Sequence, residues 1–79
     1  MLEAIRIKLD SIDKVKGFRN IVSRYAGEFE VSEGNYTANG KSMMGILSLD
    51  LKNELILRVW SEEHLHEVLD ELRPYIIAY

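Results

Sequence analysis

Gly40-Lys41-Ser42-Met43-Met44-Gly45-Ile46-Leu47-Ser48-Leu49 is the stretch on which the reading of this chain turns. A serine stands behind a lysine, two adjacent methionines follow it, and the apolar run beyond them is too short for a long helix. A serine that opens a helix uses its side-chain oxygen to accept from a free backbone N–H. Ser42 is therefore expected to start a short helix that ends near Leu49. A phosphate added to that hydroxyl would be stabilised beside the positive helix end. Met43 and Met44 offer the soft, adaptable surface that partner-binding sites use. The plainer reading is a capped helix whose methionines fill the core, and the residues alone leave both readings open.

Upstream of this stretch, Leu2 to Leu9 alternates, with Ile5, Ile7 and Leu9 on one side and Arg6 and Lys8 on the other, as in a half-buried strand. Asp10 or Ser11 then caps a helix whose apolar positions are Ile12, Val15, Phe18, Ile21, Val22 and Tyr25. Gly27 is placed to end it. Gly17, inside that helix, costs about 1 kcal/mol against alanine and suits close packing there. Glu28-Phe29-Glu30-Val31 alternates again, and Ser32-Glu33-Gly34-Asn35 turns the chain into a strand at Tyr36-Thr37-Ala38. Asn39-Gly40 is a further turn. Downstream, a loop over 50–53 leads to Glu54-Leu55-Ile56-Leu57-Arg58-Val59-Trp60, the clearest strand in the chain. Trp60 falls on the face opposite Leu55, Leu57 and Val59. Ser61 is expected to cap a last helix, with Glu62 and Glu63 at its positive end and Leu65, Val68, Leu69, Leu72 and Ile76 as its buried stripe. Pro74, without an N–H, ends its regular hydrogen bonding.

The order β-α-β-β-α-β-α, without repeat or linker, predicts a two-layer α+β domain over residues 1–79. Lys41-Ser42-Met43-Met44-Gly45 followed by Leu47-Ser48-Leu49 resembles the second-helix signature of HPr, the histidine-containing phosphocarrier of the bacterial sugar phosphotransferase system. That family reads Lys-Ser-Ile-Met-Gly, an apolar pair and Ser-Leu at this place. The likeness extends more weakly over the whole chain, in length, element order and the glycine, Gly34, before the third strand. It implies a four-stranded antiparallel sheet with three helices on one face. It also implies that Ser42 is a phosphorylation site, because a dedicated kinase modifies that serine in many Gram-positive members of the family.

The family carries its phosphate on a histidine at the start of the first helix, within Gly-(Ile or Leu)-His-Ala-Arg-Pro-Ala. The corresponding stretch here is Ser11-Ile12-Asp13-Lys14-Val15-Lys16-Gly17-Phe18. Counting back from Ile21-Val22 puts Lys14 at the histidine position and Lys16 at the arginine position. Anchoring on Ile12 puts Asp13 there, and counting back from Ser42 puts Ser11 there. No register supplies a histidine, and a protonated lysine cannot replace an imidazole nucleophile. The resemblance thus implies a regulatory, protein-binding member of the carbon catabolite type, not an enzyme, needing no cofactor. Its docking surface would comprise Lys14, Lys16, Phe18, Met43, Met44 and Leu47. Its partners would be an HPr kinase-like enzyme, a transcriptional regulator or other phosphotransferase-system proteins. The alternatives are a phosphocarrier that uses His64 or His66, and an orphan structural domain in which Ser42 only caps a helix.

Other chemistries fit poorly. Gly40-Lys41-Ser42 evokes a phosphate-binding loop, but the first glycine of that loop would fall on Asn35, one residue past Gly34. His64 and His66 sit two apart, about 200° around a helix, and cannot share a metal. With no cysteine, neither a disulfide nor a thiolate metal site is available. The net charge of −3 argues against nucleic acid as a partner. That charge is uneven: residues 1–24 hold six bases against three acids, and residues 62–71 hold five acids with no Lys or Arg. The basic first helix and the acidic last helix are expected either to polarise the surface toward a charged partner or to be merely solvated faces, and the acidic run is not read as an acid–base pair. No apolar run approaches the roughly 18 residues of a membrane span, and the N-terminus lacks a signal peptide's pattern, so a cytoplasmic, membrane-free protein is expected.

Overall fold

The structure is a computed structural model that describes residues 2–60 and 63–78. Strand β1 spans Leu2–Ile7, helix α1 Ile12–Val22, strands β2 and β3 Glu28–Glu33 and Tyr36–Asn39, helix α2 Met43–Leu47 and strand β4 Leu55–Trp60. Helix α3 spans Leu65–Leu72 and passes through a 3₁₀ turn, Arg73–Tyr75, into strand β5, Ile76–Ala78. The sheet is antiparallel throughout, in the order β3-β2-β4-β1-β5. It has five strands where four were expected. Pro74 has no N–H to continue α3, so the chain tightens into the 3₁₀ turn and emerges extended at Ile76. Ile76 then pairs with Ile7, and Ala78 with Arg6 across a bulge. Ile76 therefore belongs to a sheet edge and not to the α3 stripe.

Alternation decides which face of the sheet is covered. Ile5 and Ile7, Phe29 and Val31, and Leu55, Leu57 and Val59 all point to one side. There they join Val15, Phe18 and Val22 of α1, Ile46 of α2 and Val68 and Leu72 of α3 in one apolar cluster. Full burial of side chains this size stabilises by about 1.5–3 kcal/mol each before the entropy cost of folding. No polar or charged residue is buried among the described residues. The opposite face carries Arg6, Glu28, Glu30, Arg58 and Trp60 and stays open to solvent.

Helix α1 starts where Ser11 caps it: the Ser11 hydroxyl oxygen accepts from the Lys14 N–H at 3.1 Å. It ends at Val22, short of the expected Gly27. The next N–H groups, of Arg24 and Tyr25, bond three residues back, a tightened last turn. Gly27, with φ of 102°, turns the chain into β2 instead. Ile12 is 59% exposed, because the first helical position precedes the turn that reaches the core. Gly34 (φ 60°) and Asn35 make a two-residue hairpin that sets Glu33 opposite Tyr36. The expected cap Ser61 and its neighbour Glu62 lie outside the described residues. The residue preceding α3 is His64, left-handed at φ 61°, with no side-chain cap.

Candidate docking surface

The signature segment is built by a tight turn between β3 and α2. The Asn39 side-chain oxygen accepts from the Lys41 N–H at 2.8 Å, and the Ser42 N–H donates to the Asn39 carbonyl at 3.0 Å. Gly40 is needed there: a Cβ would lie 2.9 Å from Phe29 Cβ and 3.0 Å from the Phe29 carbonyl oxygen. Ser42 then caps α2, its hydroxyl oxygen accepting from the Gly45 N–H at 3.1 Å. Gly45 keeps that approach clear, since a Cβ would come within 3.1 Å of the Ser42 hydroxyl oxygen.

Basic side chains hold this turn in place. Lys41 Nζ donates to the Tyr25 carbonyl at 2.6 Å and lies 5.4 Å from the Phe29 ring centroid. Arg19, from α1, donates through Nε to the Lys41 carbonyl at 3.3 Å. That contact sets a guanidinium one residue from Ser42. Sequence reading counted Arg19 only as one base among six, because nothing in a linear chain links it to a residue more than twenty positions away.

Behind Ser42 the two readings of the methionines divide. Met44 is 84% exposed and Leu47 is 41% exposed, whereas Ile46 is fully buried and Met43 packs partly against the core. Met44 and Leu47 thus form a small apolar outcrop beside a half-buried serine. Phe18 was expected on the docking surface, but it is fully buried and packs edge-on against Tyr75, so it belongs to the core. Its place on the inner stripe of α1 follows from its spacing with Val15 and Val22. Lys14 and Lys16 are exposed. Lys14 Nζ pairs with Asp10 at 2.8 Å, and its hydrogen bond holds the Asp10 carboxyl below the usual carboxylate range.

The acidic end is not wholly a solvated face. Glu71 of α3 accepts from the Tyr25 hydroxyl and from Arg24, tying α3 to the end of α1. The Tyr25 hydrogen bond is the main cause that lowers the Glu71 pKa, with Arg24 adding to it, and the same bond raises that of Tyr25. His64 and His66 are exposed at the start of α3, and His64 Nδ1 lies 3.2 Å from Glu67. Among the described residues no group of three or more His, Asp or Glu could hold a metal ion. No described helix is long and apolar enough to cross a membrane.

No family model matches this chain, and no curated protein sequence matches it. Solved structures do. HPr-C-His from Thermoanaerobacter tengcongensis superposes with a TM-score of 0.74 at 24% identity, over 94% of this chain and 88% of its own. The phosphocarrier protein HPr from Bacillus anthracis str. Ames superposes with a TM-score of 0.75 at 20% identity, over 98% of this chain and 96% of its own. At such identities the likeness is one of fold, and the fold of this chain is HPr-like.

Proposed function

We propose that this chain is a regulatory protein-binding module of the phosphotransferase-system type, without histidine phosphocarrier activity and without enzymatic activity, switched by phosphorylation of Ser42. The observation that carries the reading is the Ser42 hydroxyl at the cap of α2, with Met44 and Leu47 exposed behind it and Arg19 anchored on the neighbouring carbonyl. A phosphoserine carries about −1.5 to −2 charge and three acceptor oxygens, which a nearby guanidinium can meet. Helix α2 has only five residues, so that side chain supports the tolerance more than any helix dipole does.

Of the three possible registers, counting back from Ser42 is the one that lands on the cap of α1, where Ser11 stands; Lys14 lies a turn further in. All three registers, on Ser11, Asp13 or Lys14, leave the first-helix position without an imidazole. Partners of this module would be an HPr kinase-like enzyme and a transcriptional regulator or other phosphotransferase-system proteins in the cytoplasm. They would meet it at Met44 and Leu47 with Lys14, Lys16 and the exposed part of Met43.

The test is incubation with HPr kinase and ATP, and separately with enzyme I and phosphoenolpyruvate, followed by mass spectrometry. Phosphate on Ser42 in the first reaction and none in the second is the expected result. An acid-labile, stoichiometric phosphate, on His64 or His66 for example, would restore a carrier function and overturn the proposal.

A further inference from the structure

The edge strand β3 plays no part in the proposal above. In the order β3-β2-β4-β1-β5 it pairs with β2 alone. The Gly40 N–H donates to the Phe29 carbonyl at 2.6 Å, so Gly40 and, by alternation, Ala38 and Tyr36 turn their main-chain groups toward β2. Those of Thr37 and Asn39 point away from the sheet.

Natural sheet edges are blunted by charges, proline, bulges or a covering element. The opposite edge has such a device: β5 is three residues long, and a bulge breaks its pairing with β1. Tyr36-Thr37-Ala38-Asn39 carries no charge and no proline, and its pairing with β2 runs without a bulge. Helix α2 covers the inner face of β3, where a Cβ on Gly45 would lie 3.3 Å from Ala38 Cβ. On that same inner face Tyr36 is 71% exposed, and Met44 of α2 is more exposed still.

A strand without charge meets no repulsion from a second copy of itself, and one register fits. With Ala38 on a two-fold axis, the α2 helices, each over its own Ala38, would lie about 4.8 Å apart, whereas packed helices need about 8–10 Å. With Asn39 on the axis, the pairing would use the Asn39 carbonyl, which already accepts from the Ser42 N–H. With Tyr36 on the axis, Thr37 would face Asn35, which belongs to the hairpin turn. With Thr37 on the axis, the two Ala38 residues are staggered along the strands and the helices stand about 8 Å apart. The free N–H and C=O of each Thr37 then bond to the other. Tyr36 faces the partner's Ala38, the largest side chain of β3 against the smallest, and the two threonines form a favourable cross-strand pair.

We propose that β3 pairs antiparallel with β3 of a second copy of this chain, about a two-fold axis at Thr37, joining two sheets into one. So short an edge buries less than the roughly 800 Å² per partner of a stable complex, so the dimer is weak and reversible, with a dissociation constant on the order of 0.1–1 mM.

Sedimentation equilibrium and amide resonances of the full chain, followed from about 0.05 to 2 mM, test it. The parent should pass from monomer to dimer, with shifts centred on residues 36–38 and slower hydrogen exchange of the Thr37 amide at high concentration. Thr37→Lys sets like charges opposite each other and should weaken association about fivefold, as should Thr37→Glu. An equimolar mixture of these two variants sets opposite charges across the axis and should associate at least as well as the parent. Tyr36→Ala should weaken the dimer about three- to tenfold. A parent that stays monomeric at about 2 mM leaves the edge to a foreign strand and overturns the proposal. So do shifts centred away from β3, or a mixture that associates no better than either variant alone. The unmodified chain is used throughout, so the outcome does not depend on whether Ser42 is phosphorylated.

Discussion

Replacing Gly17 by alanine tests how α1 is held against the end of the chain. In a free helix the change would stabilise by about 1 kcal/mol, because glycine is the poorer helix former. Here the added Cβ would collide with the Tyr75 hydroxyl oxygen and lie 3.3 Å from Tyr75 Cζ. Tyr75 has little room to retreat. Its ring meets Phe18 edge-on at 6.4 Å, its carbonyl accepts from the Lys8 N–H at 2.9 Å, and Pro74 stiffens the residue before it. Overpacking of this kind costs about 1–3 kcal/mol, so Gly17→Ala should change stability by between zero and a loss of roughly 2 kcal/mol. Tyr75→Phe removes the colliding oxygen. In that background the helix propensity is released, and Gly17→Ala should stabilise by about 1 kcal/mol. A double-mutant cycle by urea denaturation, followed by far-ultraviolet circular dichroism, should give a coupling of at least about 1 kcal/mol, or some 4–8 °C in melting temperature at this size. If Gly17→Ala stabilises by the same amount in both backgrounds, the contact with Tyr75 does not constrain position 17 and the reasoning fails.

Three further outcomes are expected. Ser42→Ala should lose about 0.5–2 kcal/mol of unfolding free energy by urea denaturation, since it removes the acceptor of the Gly45 N–H, whereas Ser42→Asp should keep most of it. Met44→Asp should stay within about 0.5 kcal/mol of the parent while abolishing partner capture; Met43→Asp should also lower the melting temperature, because Met43 packs against the core. The third concerns pH. Glu71 has a lowered pKa in the fold, so its contribution is present above its ordinary value of 4.5 and is lost as pH falls through the folded value. Tyr25 is raised, so its contribution is present below its ordinary 10.0 and is lost as pH rises through the folded value. Melting curves of Glu71→Gln should therefore depend less on pH than the parent's at the acid end; identical acid slopes would refute the clasp.

Much of the fold was legible because its periods are local. The alternation in Ile5-Arg6-Ile7 and Leu55-Ile56-Leu57-Arg58-Val59, and the helical spacing of Val15, Phe18 and Val22, assign buried faces without knowledge of their partners. Both serine caps, Ser11 and Ser42, are short-range events between a hydroxyl and an N–H three residues on; reading the sequence placed the second at Ser42 and narrowed the first to Asp10 or Ser11. The fifth strand was not legible. Ile76 fits the apolar stripe of α3 as well as it fits a strand, and only its pairing with Ile7 decides between them. Placing Phe18 on a docking surface ignored its own helical spacing, which already set it with the core.

What the sequence determined by itself is therefore the order of the elements as far as α3, most of the inward faces, the cap of α2, and the lack of a histidine in residues 11–18. Tertiary structure decided whatever depends on residues distant in sequence. It brought Arg19 to the carbonyl beside Ser42, tied Glu71 to Tyr25 and Arg24, set Tyr75 against Gly17, and placed Trp60 across from Glu28. Those contacts form only when the sheet brings its strands into register and the helices close over one face. Propensity and period act over a few residues and carry no record of such meetings.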